Sequence, residues 1–107
     1  MSALIKESLK PIQISLDQMN IVIDLFAKYL PDVQVWAFGS RAKWTARPYS
    51  DLDLALLCAS KINPKQLSQL RYALEESRLP FTVDILEWSQ IKPDFQRAIQ
   101  ADLCRIL

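Results

Sequence analysis

Three aspartates have the residue type and spacing to bind a metal ion. Asp51 and Asp53 stand two residues apart at the start of an apolar run, and Asp84 lies in a later one. In a strand, residues i and i+2 point to the same face about 6.5–7 Å apart, so both carboxylates can reach one ion. Clustered carboxylates repel one another unless a cation is present, and all-oxygen ligation selects Mg²⁺ or Mn²⁺. Asp84 would allow a second ion, and it could accept the proton of an attacking hydroxyl.

A glycine–serine turn before the acidic pair has the chemistry of a phosphate site. Gly39 is the only glycine in 107 residues, and ten residues separate Ser40 from Asp51. Glycine lets a phosphate approach the backbone closely, the serine hydroxyl is a donor, and the following amides suit an anion. Arg41 adds positive charge against a polyphosphate. We therefore predict a nucleotide triphosphate site between this turn and the carboxylates, with Mg²⁺ bound to both sides.

Each feature also has a purely structural interpretation. Asp51 after Ser50 resembles a helix-capping sequence, Gly39-Ser40 fits an ordinary turn, and Asp84 could be a solvated strand residue. The two-residue alternation over residues 51–56 favours a strand over a capped helix. The apolar neighbours of Asp84 would make an idle, unpaired acid costly, which favours a functional role.

The composition excludes several classes of protein. The chain has no histidine and a single glycine, which excludes histidine-dependent catalysis, His-ligated zinc, dinucleotide-binding fingerprints and Walker loops. A net charge of +1 argues against direct nucleic-acid binding. No apolar run approaches the roughly 20 residues of a membrane span, and no signal peptide is recognisable. With two isolated cysteines read as free thiols, these features predict a cytoplasmic protein without membrane contact.

The pattern predicts a single domain over residues 1–107, with residues 1–14 as a loosely ordered lead-in. A first helix begins at Ser15, where Gln18 completes a capping box, and it ends before Pro31. Its predicted apolar stripe consists of Leu16, Met19, Ile23, Phe26, Ala27 and Leu30. Ile14, Ile21 and Leu25 are apolar positions off that stripe.

Strands are predicted over 33–38, 51–57 and 81–86, with a short helix capped by Ser40 and longer helices that begin at Asn63 and Pro93. The stripe of the last helix is Phe95, Ala98, Ile99, Leu103 and Ile106. The link between the second and third strands is long enough for a helical crossover, so these strands should be parallel. As neighbours about 4.8 Å apart, they would bring Asp84 beside Asp53. We expect an α/β (α+β) fold, a small mixed sheet of about three strands flanked by helices.

The combination of these motifs resembles one family. The segments Trp36-Ala37-Phe38-Gly39-Ser40-Arg41, Ser50-Asp51-Leu52-Asp53-Leu54-Ala55 and Val83-Asp84-Ile85-Leu86 are similar to the prokaryotic minimal nucleotidyltransferases (MNT) of the DNA polymerase β-like superfamily. The resemblance extends from about residue 15 to the C-terminus. The position after Lys43, often glycine in that family, is Trp44 here. This departure concerns the loop path and the room above the nucleotide, not the metal ligands.

The resemblance implies a nucleotidyltransferase fold and Mg²⁺-dependent transfer of AMP from ATP with loss of pyrophosphate, with Mn²⁺ as a substitute ion. It implies Asp51, Asp53 and Asp84 as metal ligands and catalytic acids, and Gly39, Ser40 and Arg41 at the nucleotide. Minimal members commonly pair with a small helical HEPN ribonuclease and, as antitoxins, adenylylate one of its tyrosines. Two alternatives stay open, an idle antitoxin that only masks its partner and a small-molecule nucleotidyltransferase. Homo-oligomerisation is also left open.

Overall fold

Helix α1 (Leu16–Tyr29) begins with the predicted capping box. In this computed structural model, which describes residues 12–107, the Gln18 N–H donates to Ser15 Oγ and the Ser15 N–H donates to Gln18 Oε1. The predicted apolar stripe is confirmed at Phe26 and Leu30, which are buried, but it is wrong at Leu16, which is 78% exposed, and it omits the buried Val22. Ile14 and Leu25, expected off the stripe, pack against the core. Apolar residues lie on both sides of the true face, so periodicity alone does not set its phase.

A four-stranded sheet lies at the centre of the fold. Its strands are β1 (Gln34–Phe38), β2 (Leu52–Leu57), β3 (Val83–Glu87) and β4 (Cys104–Arg105), in the order β3-β2-β1-β4. β1 is antiparallel to both β2 and β4, whereas β2 and β3 are parallel, as the crossover predicts. That crossover contains α3 (Pro64–Glu75), where the Asn63 side chain caps the predicted start. The mixed sheet is confirmed, with one strand more than expected.

The additional strand lies where the sequence predicts a continuous last helix. Helix α4 (Pro93–Gln100) begins at the predicted proline but ends at Gln100, before residues 104–107 turn back to β1. The Val35 N–H donates to the Leu107 carbonyl at 3.0 Å, and the Ile106 N–H donates to the Val35 carbonyl at 2.8 Å. A free strand edge offers backbone partners that another helical turn cannot, and this tertiary pairing outweighs the local pattern.

The two faces of the sheet have different coverings. Helices α1 and α3 pack over one face, which carries Val35, Ala37, Leu52, Leu54, Leu56 and Ile85. The opposite face carries Phe38 of β1 together with Asp53 and Ala55, two alternate residues of β2. Ile99 of α4 packs with Phe38 and Ala55 in a smaller apolar cluster on this face. Alternation along β2 thus places the acid on the face away from the main core.

The segment before α1 is packed where the structure describes it. Ile12 is 1% exposed and belongs to the main core, so residues 12–14 are not the loose lead-in that was predicted; residues 1–11 lie outside the described residues. Among the described residues, Cys58 and Cys104 form no disulfide bond. Within residues 12–107 no helix has the length and apolarity needed to cross a bilayer.

Candidate active site

Asp53 lies between the other two features of the predicted site. In the sheet it is paired with Phe38, the residue before the Gly39 turn, on one side and with Asp84 on the other. The predicted juxtaposition of Asp53 and Asp84 is therefore present, at the roughly 4.8 Å spacing of adjacent strands. Asp51 precedes β2 by one residue and is exposed, as is Asp84, whereas Asp53 is half-buried.

The ionisation of Asp53 is affected by its burial and by the other two acids. Burial raises the pKa of Asp53 most, and the neighbouring charges of Asp84 and Asp51 raise it further. Each of these effects disfavours the ionised carboxylate, and a bound cation would reverse them. Asp84 is exposed and has little desolvation penalty, so its apolar neighbours do not make an idle acid costly as expected. The observation that favours a functional role for Asp84 is its register with Asp53.

The Gly39 turn has a conformation that requires glycine. Its φ of 76° and ψ of −157° lie in a region almost confined to that residue. A Cβ atom at this position would also overlap Asp53 Oδ2, with no room for van der Waals contact. The carboxylate of Asp53 thus lies directly against the turn, as predicted for a site shared by phosphate and metal.

Helix α2 (Ser40–Lys43) is capped differently from the prediction. Its N-cap is Gly39, and Ser40 is the first helical residue, so no side chain caps the helix. In residues 12–107 we find no hydrogen bond that occupies the Ser40 hydroxyl. That hydroxyl stands next to the turn and keeps its donor capacity for a ligand.

Arg41 does not have the position predicted for it. The residue is only 4% exposed, and its guanidinium donates to the carbonyls of Gln13, Arg47, Pro48 and Ser50. It also lies over the ring of Phe81, 4.0 Å from the centroid. Burial lowers the pKa of Arg41 from its ordinary value. Four of the five N–H donors of the guanidinium bind carbonyls and the residue is buried, so this side chain is not available to a phosphate, which corrects its predicted nucleotide contact.

The donor set fits a hard divalent cation only in part. Among the described residues, no three His, Cys, Asp or Glu side chains form a complete cage for a metal ion. Mg²⁺, however, is usually held by one or two carboxylates together with substrate phosphates and water. Asp51 and Asp53 fit that pattern, and ligation by all three aspartates stays a prediction.

Trp44 explains the glycine that the family often has at this position. It is the C-cap of α2 with φ 62° and ψ 37°, the only non-glycine residue with positive φ among residues 12–107. The left-handed conformation ends helices readily at glycine and carries a penalty for other residues. Trp44 therefore adopts a backbone conformation that favours glycine, at some conformational cost.

Gln13 is a functional candidate that the sequence analysis missed. Its side-chain amide binds the backbone of Ala46, accepting from the N–H at 2.8 Å and donating to the carbonyl at 3.1 Å. The Gln13 N–H also donates to the Arg41 carbonyl at 2.8 Å. Nothing in its sequence context marks it, because it is a single glutamine between Ile12 and Ile14.

Comparison with known proteins identifies the class. Residues 20–106 match the family model described as polymerase beta, nucleotidyltransferase. The chain belongs to this nucleotidyltransferase family.

Individual relatives narrow the similarity. The chain is 38% identical over 93 residues to the probable protein adenylyltransferase MntA of Haemophilus influenzae, an alignment that covers 87% of this chain and 82% of that protein. Its fold is similar to a chain in the crystal structure of a toxin–antitoxin with AMP-PNP, with TM-score 0.68, 22% identity and coverage of 83% and 72%. It also resembles a chain in the complex of a tri-AMPylated Shewanella oneidensis HEPN toxin with an MNT antitoxin, with TM-score 0.61, 20% identity and coverage of 83% and 68%.

Proposed function

We propose that this chain is a cytoplasmic protein adenylyltransferase that transfers AMP from ATP to a tyrosine hydroxyl of a HEPN partner and thereby acts as its antitoxin. Membership of the nucleotidyltransferase family supports the reaction class. The relative named as a probable protein adenylyltransferase supports a protein acceptor. The complexes that share the fold include an AMPylated HEPN toxin, which supports the partner.

One observation carries the proposal. Asp53 is in register with Asp84 while its carboxylate lies against Gly39. Asp53 is half-buried and lies beside another acid, and both conditions destabilise its charged state unless a cation is bound. A purely structural sheet gains nothing from this arrangement, whereas a polyphosphate–metal site depends on it.

Each site residue has one role in the proposed reaction. Asp51 and Asp53 would hold Mg²⁺, or Mn²⁺ in its place, and the ion would supply charge neutralisation on the phosphates. The backbone of Gly39 and the hydroxyl of Ser40 bind the β- and γ-phosphates. The acceptor oxygen forms a bond to the α-phosphorus as the bond to the β-phosphate oxygen breaks, pyrophosphate leaves, and Asp84 accepts the hydroxyl proton. Positioning and charge neutralisation account for most of the rate, as is usual in phosphoryl chemistry.

The direct test is mass spectrometry of the purified HEPN partner after incubation with this protein, ATP and Mg²⁺. We expect one or more adenylyl groups on the partner and none with the double variant Asp51→Asn plus Asp53→Asn. An unmodified partner in both samples contradicts the proposal. Neutralisation of the toxin that survives the double variant would favour the antitoxin that acts by binding alone, and adenylylation of a small molecule instead of the partner would favour the other alternative.

A further inference from the structure

The loop of residues 44–51, which joins α2 to β2, is held through its main chain by Arg41. The Arg41 Nε donates to the Ser50 carbonyl at 3.0 Å, and Nη2 donates to the carbonyls of Arg47 and Pro48 at 3.2 and 3.0 Å. Three carbonyls within four consecutive residues therefore converge on one buried guanidinium. Its planar, rigid set of donors suits this task, and a lysine ammonium cannot reproduce it.

Gln13 holds the same loop from a second direction. Its amide makes a two-bond pair with the backbone of Ala46. Gln13 and Arg41 also bind each other: Arg41 Nη1 donates to the Gln13 carbonyl at 2.7 Å, and the Gln13 N–H donates to the Arg41 carbonyl at 2.8 Å. The two residues thus form one connected unit, which we call the Arg41–Gln13 clamp.

The clamp is adjacent to the Gly39 turn, to Asp51 and to the residues before β3. Arg41 is two residues after Gly39, and the Ser50 carbonyl it binds immediately precedes Asp51. Phe81, whose ring lies beneath the guanidinium, is two residues before β3, and the carbonyl of the next residue, Thr82, accepts from the Leu52 N–H of β2 at 2.9 Å.

We propose that Arg41, braced by Gln13, is a positioning residue for nucleotidyl transfer that fixes Asp51 relative to the Gly39 turn without touching nucleotide or metal. This inference rests on the proposed function. Asp51 needs such support because it lies outside β2 and is exposed, so the ladder that orders Asp53 does not hold it. Within residues 12–107 no carboxylate lies within ion-pair distance of Arg41. The side chain instead donates to main-chain carbonyls, which fixes the path of the loop.

The test compares Arg41→Lys and Gln13→Leu with wild type in the complex with the HEPN partner, and uses Arg105→Lys as a matched control. Arg105 also donates to a backbone carbonyl, that of Leu107 at 2.9 Å, but at the far edge of the sheet. Arg41→Lys keeps the charge and loses the fork, whereas Gln13→Leu leaves Arg41 unchanged. For Arg41→Lys and for Gln13→Leu we expect kcat for AMP transfer to fall by about 10- to 100-fold while KM for ATP changes by less than about twofold.

Two further measurements separate positioning from simple folding. Amide hydrogen exchange at Ala46, Arg47 and Ser50 should accelerate in both clamp variants under conditions in which the core amides stay protected. The effects on kcat should combine less than additively in the double variant Arg41→Lys plus Gln13→Leu, since both residues act on one loop. The control Arg105→Lys should match wild type in kcat and in hydrogen exchange.

Other outcomes overturn the inference. Wild-type kcat per folded molecule in both clamp variants would show that the clamp positions nothing. A raised KM for ATP with unchanged kcat would show that Arg41 contacts the nucleotide instead. If wild type transfers no AMP, the proposed function fails, and the clamp is judged on hydrogen exchange alone: faster exchange at Ala46, Arg47 and Ser50 in both clamp variants supports its hold on the loop, and unchanged exchange refutes it.

Discussion

Replacement of Gly39 by alanine should separate the stability of this protein from its activity. The residue has φ 76° and ψ −157°, and an alanine forced into such a region is destabilised by about 1–3 kcal/mol. The overlap of the new Cβ with Asp53 Oδ2 adds little to that, because the free end of a side chain can turn away. The backbone therefore accounts for most of the stability loss, and the displaced carboxylate for the loss of function.

The expected magnitudes make the two effects distinguishable. A domain of 107 residues has an unfolding free energy of about 5–15 kcal/mol, so Gly39→Ala should remain folded at room temperature. A displaced metal-binding carboxylate should nevertheless reduce AMP transfer by about 100-fold or more. The loss of activity then cannot be attributed to unfolded protein.

The assay is urea denaturation of the apoprotein together with AMP transfer to the HEPN partner. A second comparison introduces Gly39→Ala into an Asp53→Ala background. Because the backbone carries most of the penalty, Gly39→Ala should destabilise that background by nearly the same amount. Wild-type stability and activity in Gly39→Ala, or a penalty that vanishes without Asp53, would refute the reasoning.

Three further predictions concern single residues. Because the pKa of Asp53 is raised in the folded state, the unfolding free energy falls as pH rises from about 4 through that raised pKa. Asp53→Asn should therefore unfold at a higher temperature than wild type at pH 7 without divalent ions, and it should lose this advantage near pH 4 or when Mg²⁺ and ATP are added. The same variant should transfer AMP more than about 100-fold more slowly than wild type. Trp44→Gly should be more stable in urea than Trp44→Ala by about 1 kcal/mol, since only glycine adopts φ 62° without penalty; equal stabilities would argue against the left-handed cap. Ser15→Ala should lose about 1 kcal/mol in thermal unfolding with AMP transfer unchanged, because it removes only the capping bonds between Ser15 and Gln18.

Local signals in the sequence were sufficient to predict the part of the site that lies on strands. The two-residue period of β2 assigns Asp53 to the face opposite the leucines, and the length of the crossover predicts a parallel β3. Those two inferences alone bring Asp84 beside Asp53. The capping sequences at Ser15 and Asn63 act over three residues, and both helix starts were correct.

Interactions between distant segments were beyond such patterns. The pairing of β4 with β1 depends on a free strand edge that forms only when the sheet assembles. The burial of Arg41 depends on carbonyls up to 28 positions away, so its place beside Gly39 and Ser40 suggested a phosphate contact that the fold does not allow. The glycine preference at the position of Trp44 was visible from the family resemblance, but its cause, a left-handed cap, required backbone angles.

The Arg41–Gln13 clamp binds carbonyl and amide groups that every amino acid possesses, with proline lacking only the amide. It therefore places few demands on which side chains occupy residues 45–49, where Arg47 and Tyr49 are turned outward to solvent. The side chains of this short stretch could diversify among descendants, or be randomised in a library, while Asp51 keeps its position. Recognition of different targets could thus evolve beside the catalytic centre without redesigning the centre itself.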